Sequence, residues 1–142
     1  MVKKIIKSNS EWKKILPHDV YEITRGKGTE PAFKNEYWDN KKKGNYYCSN
    51  CNLILFRSSD KFEAGNGWPS FSQAYKKDHV EFLTDERYGM IRTEALCARC
   101  GSHLGHVFDD LPRRLRVKAG GPAPTHKRFC MNSAALIFKS NS

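Results

Sequence analysis

Two Cys-x-x-Cys pairs, Cys48/Cys51 and Cys97/Cys100, constrain this chain more than any other feature. Each pair encloses a turn, Ser49-Asn50 or Ala98-Arg99, at the end of a β-rich run, so each can present two sulfurs from a tight knuckle. Four thiolates suit a tetrahedral zinc ion with bonds of about 2.3 Å. The 45 residues between Cys51 and Cys97 exceed the spacing of a compact zinc ribbon, so one zinc ion is expected to join two distant hairpins. A redox role for either pair is the rival reading. A local set of Cys97, Cys100, His103 and His106 is another, ranked lower because it orphans Cys48 and Cys51.

The fifth cysteine, Cys130, stands outside both pairs in Arg128-Phe129-Cys130-Met131-Asn132, and a leftover thiol with polar neighbours is a candidate nucleophile. Side chains alternate along a strand, so Arg128, Cys130 and Asn132 share one face while Phe129 and Met131 take the other. A cation and an amide then border the sulfur. His103 and His106 add imidazoles. Asp110 lies four residues beyond His106, on the same face if the strand continues, where a carboxylate can fix an imidazole's tautomer. Gly65-Asn66-Gly67-Trp68-Pro69 reads as a turn carrying an indole, either packed at the edge of the core or forming an apolar wall for a ligand.

At 142 residues and 39% hydrophobic, the chain fits one domain spanning 1–142. Ser10 is expected to cap a helical turn through Ile15, and Pro17 to open a second running toward Thr24 and stopped by Gly26. Short β-rich runs follow at Tyr46–Cys48, Leu53–Phe56, Val80–Leu83, Met90–Thr93, His106–Phe108 and Ala134–Phe138. The expected fold is mainly β: two packed antiparallel sheets or an open barrel, with short N-terminal helices docked outside. Residues Leu111 to Lys127, rich in Arg, Gly and Pro, read as a mobile loop inserted in this order. No long apolar run is present, so the expectation is a soluble cytoplasmic monomer with reduced thiols and no membrane partner.

The formal charge of +10 invites a nucleic-acid reading, for which Lys41-Lys42-Lys43 and Arg113, Arg114, Arg116 and Lys118 are the best support. These clusters lie in separate segments without interleaved aromatics. The charge therefore reads as a solvated basic surface and not as a nucleic-acid footprint.

Four stretches together resemble the B-type methionine-R-sulfoxide reductases: Gly67-Trp68-Pro69-Ser70-Phe71, Tyr88 through Glu94, His103-Leu104-Gly105-His106-Val107-Phe108-Asp109-Asp110 and Arg128 through Ala135. The resemblance runs from about Val20 to Phe138 and takes in Thr29-Glu30-Pro31-Ala32-Phe33 and Glu36 through Asn40. It implies that Cys130 attacks the sulfur of methionine sulfoxide, and that His103 and His106 donate or carry the proton. It further implies that Asp110 orients an imidazole, Arg128 favours the thiolate, Asn132 helps position the site and Trp68 holds the substrate methyl. The R epimer is the expected substrate and a sulfenic acid on Cys130 the expected intermediate. Many relatives keep a resolving cysteine at the position of Asn66, and this chain has none to spare. An external thiol (thioredoxin, glutaredoxin or glutathione) is therefore the expected reductant. Zinc on Cys48, Cys51, Cys97 and Cys100 is expected to serve the scaffold. A zinc-knuckle nucleic-acid module and a thiol-disulfide oxidoreductase are the alternatives.

Overall fold

The computed structural model describes residues 2–111 and 126–141. Helix α1 (Asn9–Ile15) starts at Ser8, not at Ser10. The Ser8 hydroxyl accepts the Glu11 N–H (3.2 Å) and the Glu11 carboxylate accepts the Ser8 N–H (3.1 Å), a reciprocal pair that Ser10 cannot make. Trp12 is the buried residue of this helix. Helix α2 (His18–Thr24) follows Pro17, whose fixed φ suits the start of a helix, and buries Ile23 and Thr24.

The strands are β1 (Gly44–Cys48), β2 (Ile54–Arg57), β3 (Lys61–Phe62), β4 (Ser70–Phe71), β5 (Val80–Asp85), β6 (Arg92–Cys97), β7 (His103–Phe108), β8 (Arg128–Met131) and β9 (Leu136–Ser140). They form a three-stranded sheet, β2-β1-β9, and a six-stranded sheet, β3-β4-β8-β7-β6-β5, with every pairing antiparallel. The two sheets pack through aromatic rings. Phe56 of β2 stacks on Phe71 of β4 at 4.4 Å between centroids, Tyr46 of β1 meets Phe71 at 5.1 Å, and Phe56 meets Phe129 of β8 at 5.8 Å. Two packed sheets, not an open barrel, is the architecture.

Two expected strand starts shift. Arg87–Gly89 form a 3-10 turn, with Tyr88 at φ 61° and Gly89 at φ 68°, so β6 begins only at Arg92. Ser133–Ala135 likewise form a 3-10 turn ahead of β9. Of the expected Leu111–Lys127 loop, residues 112–125, with Arg113, Arg114, Arg116 and Lys118, lie outside the described residues. The Leu111 N–H bonds the His126 carbonyl at 3.1 Å, which sets the two ends of that stretch side by side. No described helix is long and apolar enough to cross a membrane.

The pleat assigns the two faces of the larger sheet. Phe71, Phe129 and Val107 pair across β4, β8 and β7 and point into the core. One residue along each strand, Ser70, Cys130 and His106 pair in the same order and must point the other way, with Glu94 of β6 continuing the row. Burying the apolar set thus turns Cys130 outward.

Candidate active site and metal centre

Cys48 and Cys51 belong to the β1–β2 hairpin, and Cys97 and Cys100 to the β6–β7 hairpin, so the two pairs come from different sheets. The knuckles are built alike. The Asn52 N–H bonds Cys48 O and the Gly101 N–H bonds Cys97 O, both at 2.8 Å, with Asn52 (φ 66°) and Gly101 (φ 75°) left-handed at matching positions. All four sulfurs lie within 4.8 Å of one another, with Cys48–Cys100 at 3.6 Å and Cys51–Cys97 at 3.5 Å. Tetrahedral bonds of ~2.3 Å would separate sulfurs by ~3.8 Å, so the group fits a metal ion such as zinc. The charge balance agrees. Hydrogen bonds from the other three thiols pull Cys100 far down toward the thiolate, which in turn drives Cys48 and Cys97 up; four thiolates together need a cation.

Cys130 borders a cavity of about 120 Å³ on the outer face of the larger sheet, shared with Thr29, Trp68, Arg92, His106 and Asn132. Its strand can lie flush against β7 because position 105 is glycine: a Cβ there would meet Cys130 O at 2.1 Å. Burial pushes the Cys130 thiol up, and Arg128 partly offsets it. The Arg128 guanidinium is itself held by Asp110, with bonds of 2.8 and 3.1 Å, and lies 4.5 Å over the Phe108 ring. The Asn66 amide approaches Cys130 Sγ at 3.9 Å.

The imidazoles have separate carboxylates. His106 Nε2 lies 2.7 Å from Asp85 Oδ2, and Asp85 also accepts both Nε and Nη2 of Arg87 at 3.0 Å. Arg87 foremost, then His106, holds the Asp85 carboxyl well below the usual range. An ionised Asp85 can only accept, so the His106 proton resides on Nε2. His103 Nδ1 lies 2.6 Å from Glu94 Oε2, and Lys27 approaches the other Glu94 oxygen at 3.5 Å. Burial lowers the His103 pKa, with the Glu94 bond opposing it, and its Nε2 has no hydrogen-bond partner among the described residues.

Residues 16–140 match the SelR domain family. The peptide methionine sulfoxide reductase MsrB of Methanosarcina barkeri (strain Fusaro / DSM 804) is 48% identical over 138 residues, which cover 97% of this chain and 90% of that protein. That of Thiobacillus denitrificans is 48% identical over 132 residues, 93% of this chain and 92% of its own. That of Leptospira interrogans is 47% identical over 133 residues, 94% of each. The chain belongs to the SelR family of B-type methionine sulfoxide reductases.

Set against that family, the expected site residues divide into four groups. Cys130, His106, Asn132 and Trp68 meet at one cavity. Arg128 sits beside Cys130 on β8, close enough for its charge to favour the thiolate. His103 is 1% exposed and does not line the cavity; its ring packs against His106, centroids 5.4 Å apart. Asp110 is corrected. It orients Arg128, and the carboxylate on the His106 ring is Asp85, because β7 ends at Phe108 and Asp110 no longer follows the His106 face. Asp85, Arg87, Arg92 and Glu94 were missed as site residues. The pairing Asp85↔Arg92 and Glu94↔His106 places them, and that register depends on sheet order, not on any local motif.

Proposed function

We propose that the chain reduces the R epimer of methionine sulfoxide in peptides and proteins, repairing oxidised methionine in a thiol-reducing cytoplasm. What supports this reading is the convergence of Trp68, His106, Asn132 and the free thiol of Cys130 on one small cavity. The substrate methyl lies on the Trp68 indole, while the sulfoxide oxygen faces His106 and Asn132. With Nε2–H committed to Asp85, Nδ1 of His106 is the atom left to accept the Cys130 proton. The resulting imidazolium passes that proton to the sulfoxide oxygen as the thiolate attacks sulfur. The oxygen then passes to the Cys130 sulfur: the substrate S–O bond and the transient Cys130–substrate S–S bond break as the Cys130 S–O bond forms, methionine leaves, and Cys130 is left as sulfenic acid carrying the proton it gave up. Arg128 opposes the burial that keeps the thiol protonated.

Asn66 lies against Cys130, where an internal resolving thiol would need to be. An external thiol therefore attacks the sulfenic acid, releasing water and leaving a mixed disulfide on Cys130, and a second thiol attacks that disulfide to free Cys130 and release the oxidised reductant. Thioredoxin, glutaredoxin and glutathione supply such thiols. Zinc on Cys48, Cys51, Cys97 and Cys100 would close its coordination shell with sulfur and tie the two sheets together, leaving the chemistry to Cys130. We read the enzyme as a monomer.

An epimer-resolved assay with dithiothreitol, comparing the parent with Cys130→Ser, tests the proposal. Consumption of the R form by the parent alone is expected. Salt-dependent nucleic-acid binding without reduction would favour a zinc-knuckle module instead, and disulfide exchange retained by Cys130→Ser would favour a thiol-disulfide oxidoreductase.

A further inference from the structure

The segment from Thr29 to Asn35 has no helix or strand, and most of its side chains are exposed, so apolar burial cannot account for its fixed course. Polar bonds do, and one residue makes most of them. The Glu30 carboxylate accepts the N–H groups of Ser133 and Ala134, the latter at 2.9 Å. Its own N–H bonds Asn132 Oδ1 at 3.1 Å, and its carbonyl accepts the Trp68 indole N–H at 2.8 Å. Trp68, Asn132 and Thr29 all line the Cys130 cavity. The other end of the segment is fastened to the loop before Trp68: Phe33 N–H and Asn35 Nδ2 both bond Gly67 O at 2.9 Å. A side chain at position 67 is excluded by φ +85° and by a Cβ that would meet Phe33 N at 2.6 Å.

Resting on the reductase reading above, we propose that Glu30 is a positioning residue for substrate specificity. Its carboxylate clamps the 29–35 segment to the Ser133–Ala135 turn, and its backbone thereby fixes how far the Trp68 indole stands from Asn132. That separation sets the room for the alkyl group on the sulfoxide sulfur. Freeing the clamp lets the indole retreat, so the site admits a larger alkyl group and holds a methyl less well. The sulfur chemistry, which Glu30 does not touch, continues.

The test compares reduction of N-acetyl-methionine sulfoxide with its S-ethyl homologue. In the parent the methyl compound is preferred; in Glu30→Ala the methyl-to-ethyl ratio of kcat/KM falls by about tenfold, at the low end of what one methylene decides in an apolar pocket. The loss appears in KM, with kcat for the methyl compound within about threefold of the parent. Glu30→Gln keeps one acceptor and lowers the ratio by about threefold. Should Glu30→Ala not fold, the Gln variant decides alone. An unchanged ratio in the folded variants overturns the role of Glu30 while leaving the reductase reading intact. A parent that reduces neither sulfoxide overturns both.

Discussion

Asp85→Asn is the sharpest perturbation of the proton path. The Asp85 side chain is 3% exposed and is held by Arg87 and His106, with Arg92 at 3.6 Å. Asparagine keeps its shape, but its NH2 must stand either where Oδ1 accepts the Arg87 N–H and Nε–H or where Oδ2 accepts from both Arg87 Nη2 and His106 Nε2; the second arrangement loses both partners. The fork to Arg87, whose side chain is 33% exposed, is screened by water and contributes about 0.5–1 kcal/mol. The drier bond to His106 contributes about 1.5–2 kcal/mol. The expected loss is thus about 2–3 kcal/mol, or about 6–9 °C in Tm at roughly 3 °C per kcal/mol for a chain of this size. Because the folded Asp85 pKa is depressed, this stability is fully present above the ordinary aspartate pKa of about 3.9 and fades as pH falls below it. Misaligned and unable to hold its proton on Nε2, His106 should lose most of its acid–base contribution, lowering kcat by about hundredfold with KM within about threefold. The control is Asp110→Asn, whose side chain is 60% exposed. It should change stability by less than about 0.5 kcal/mol and kcat by less than about threefold. Steady-state kinetics on N-acetyl-methionine sulfoxide and thermal melts by circular dichroism read both. If Asp110→Asn were the more damaging of the two, with Asp85→Asn close to the parent, the assignment of the His106 partner would be refuted.

Two further outcomes follow from the same geometry. Zinc held by the four sulfurs would link hairpins of both sheets, so Cys48→Ser should fail to retain zinc and melt at least about 10 °C lower; metal loss with a native melting curve would end the scaffold role. Arg128→Met should slow iodoacetamide alkylation of Cys130 at pH 8 by about threefold, because removing the cation raises a thiol that burial has already raised. In both proteins the rate should climb with pH through the alkaline range, and an equal or faster rate in the variant would show that Arg128 does not favour the thiolate.

Much of this was legible in the sequence. The cysteine spacing carried the metal group across two hairpins, and strand alternation turned Cys130 away from Phe129. What escaped depends on neighbours across strands. His103 and His106 stand three apart, which in a regular strand sends them to opposite faces. A bulge at Leu104, where Ala95 pairs with Gly105 but Leu96 with His103, brings the rings together. Asp85 reaches His106 from two strands away. The helix start was missed because Ser8 and Ser10 are equally good caps alone, and only the return bond from Glu11 selects Ser8. Glu30 lay in a stretch of the resemblance without a role of its own, because three of its four partners lie more than a hundred residues onward.

A single turnover without reductant tests the central claim most directly. Zinc-loaded enzyme is mixed with one equivalent of methionine-R-sulfoxide, and the released methionine and the intact protein mass are measured. The expected result is one methionine per chain and a protein heavier by one oxygen atom on Cys130, trapped by a sulfenic-acid reagent. Release of methionine with a disulfide from Cys130 to Cys48, Cys51, Cys97 or Cys100, or no release at all, would contradict it.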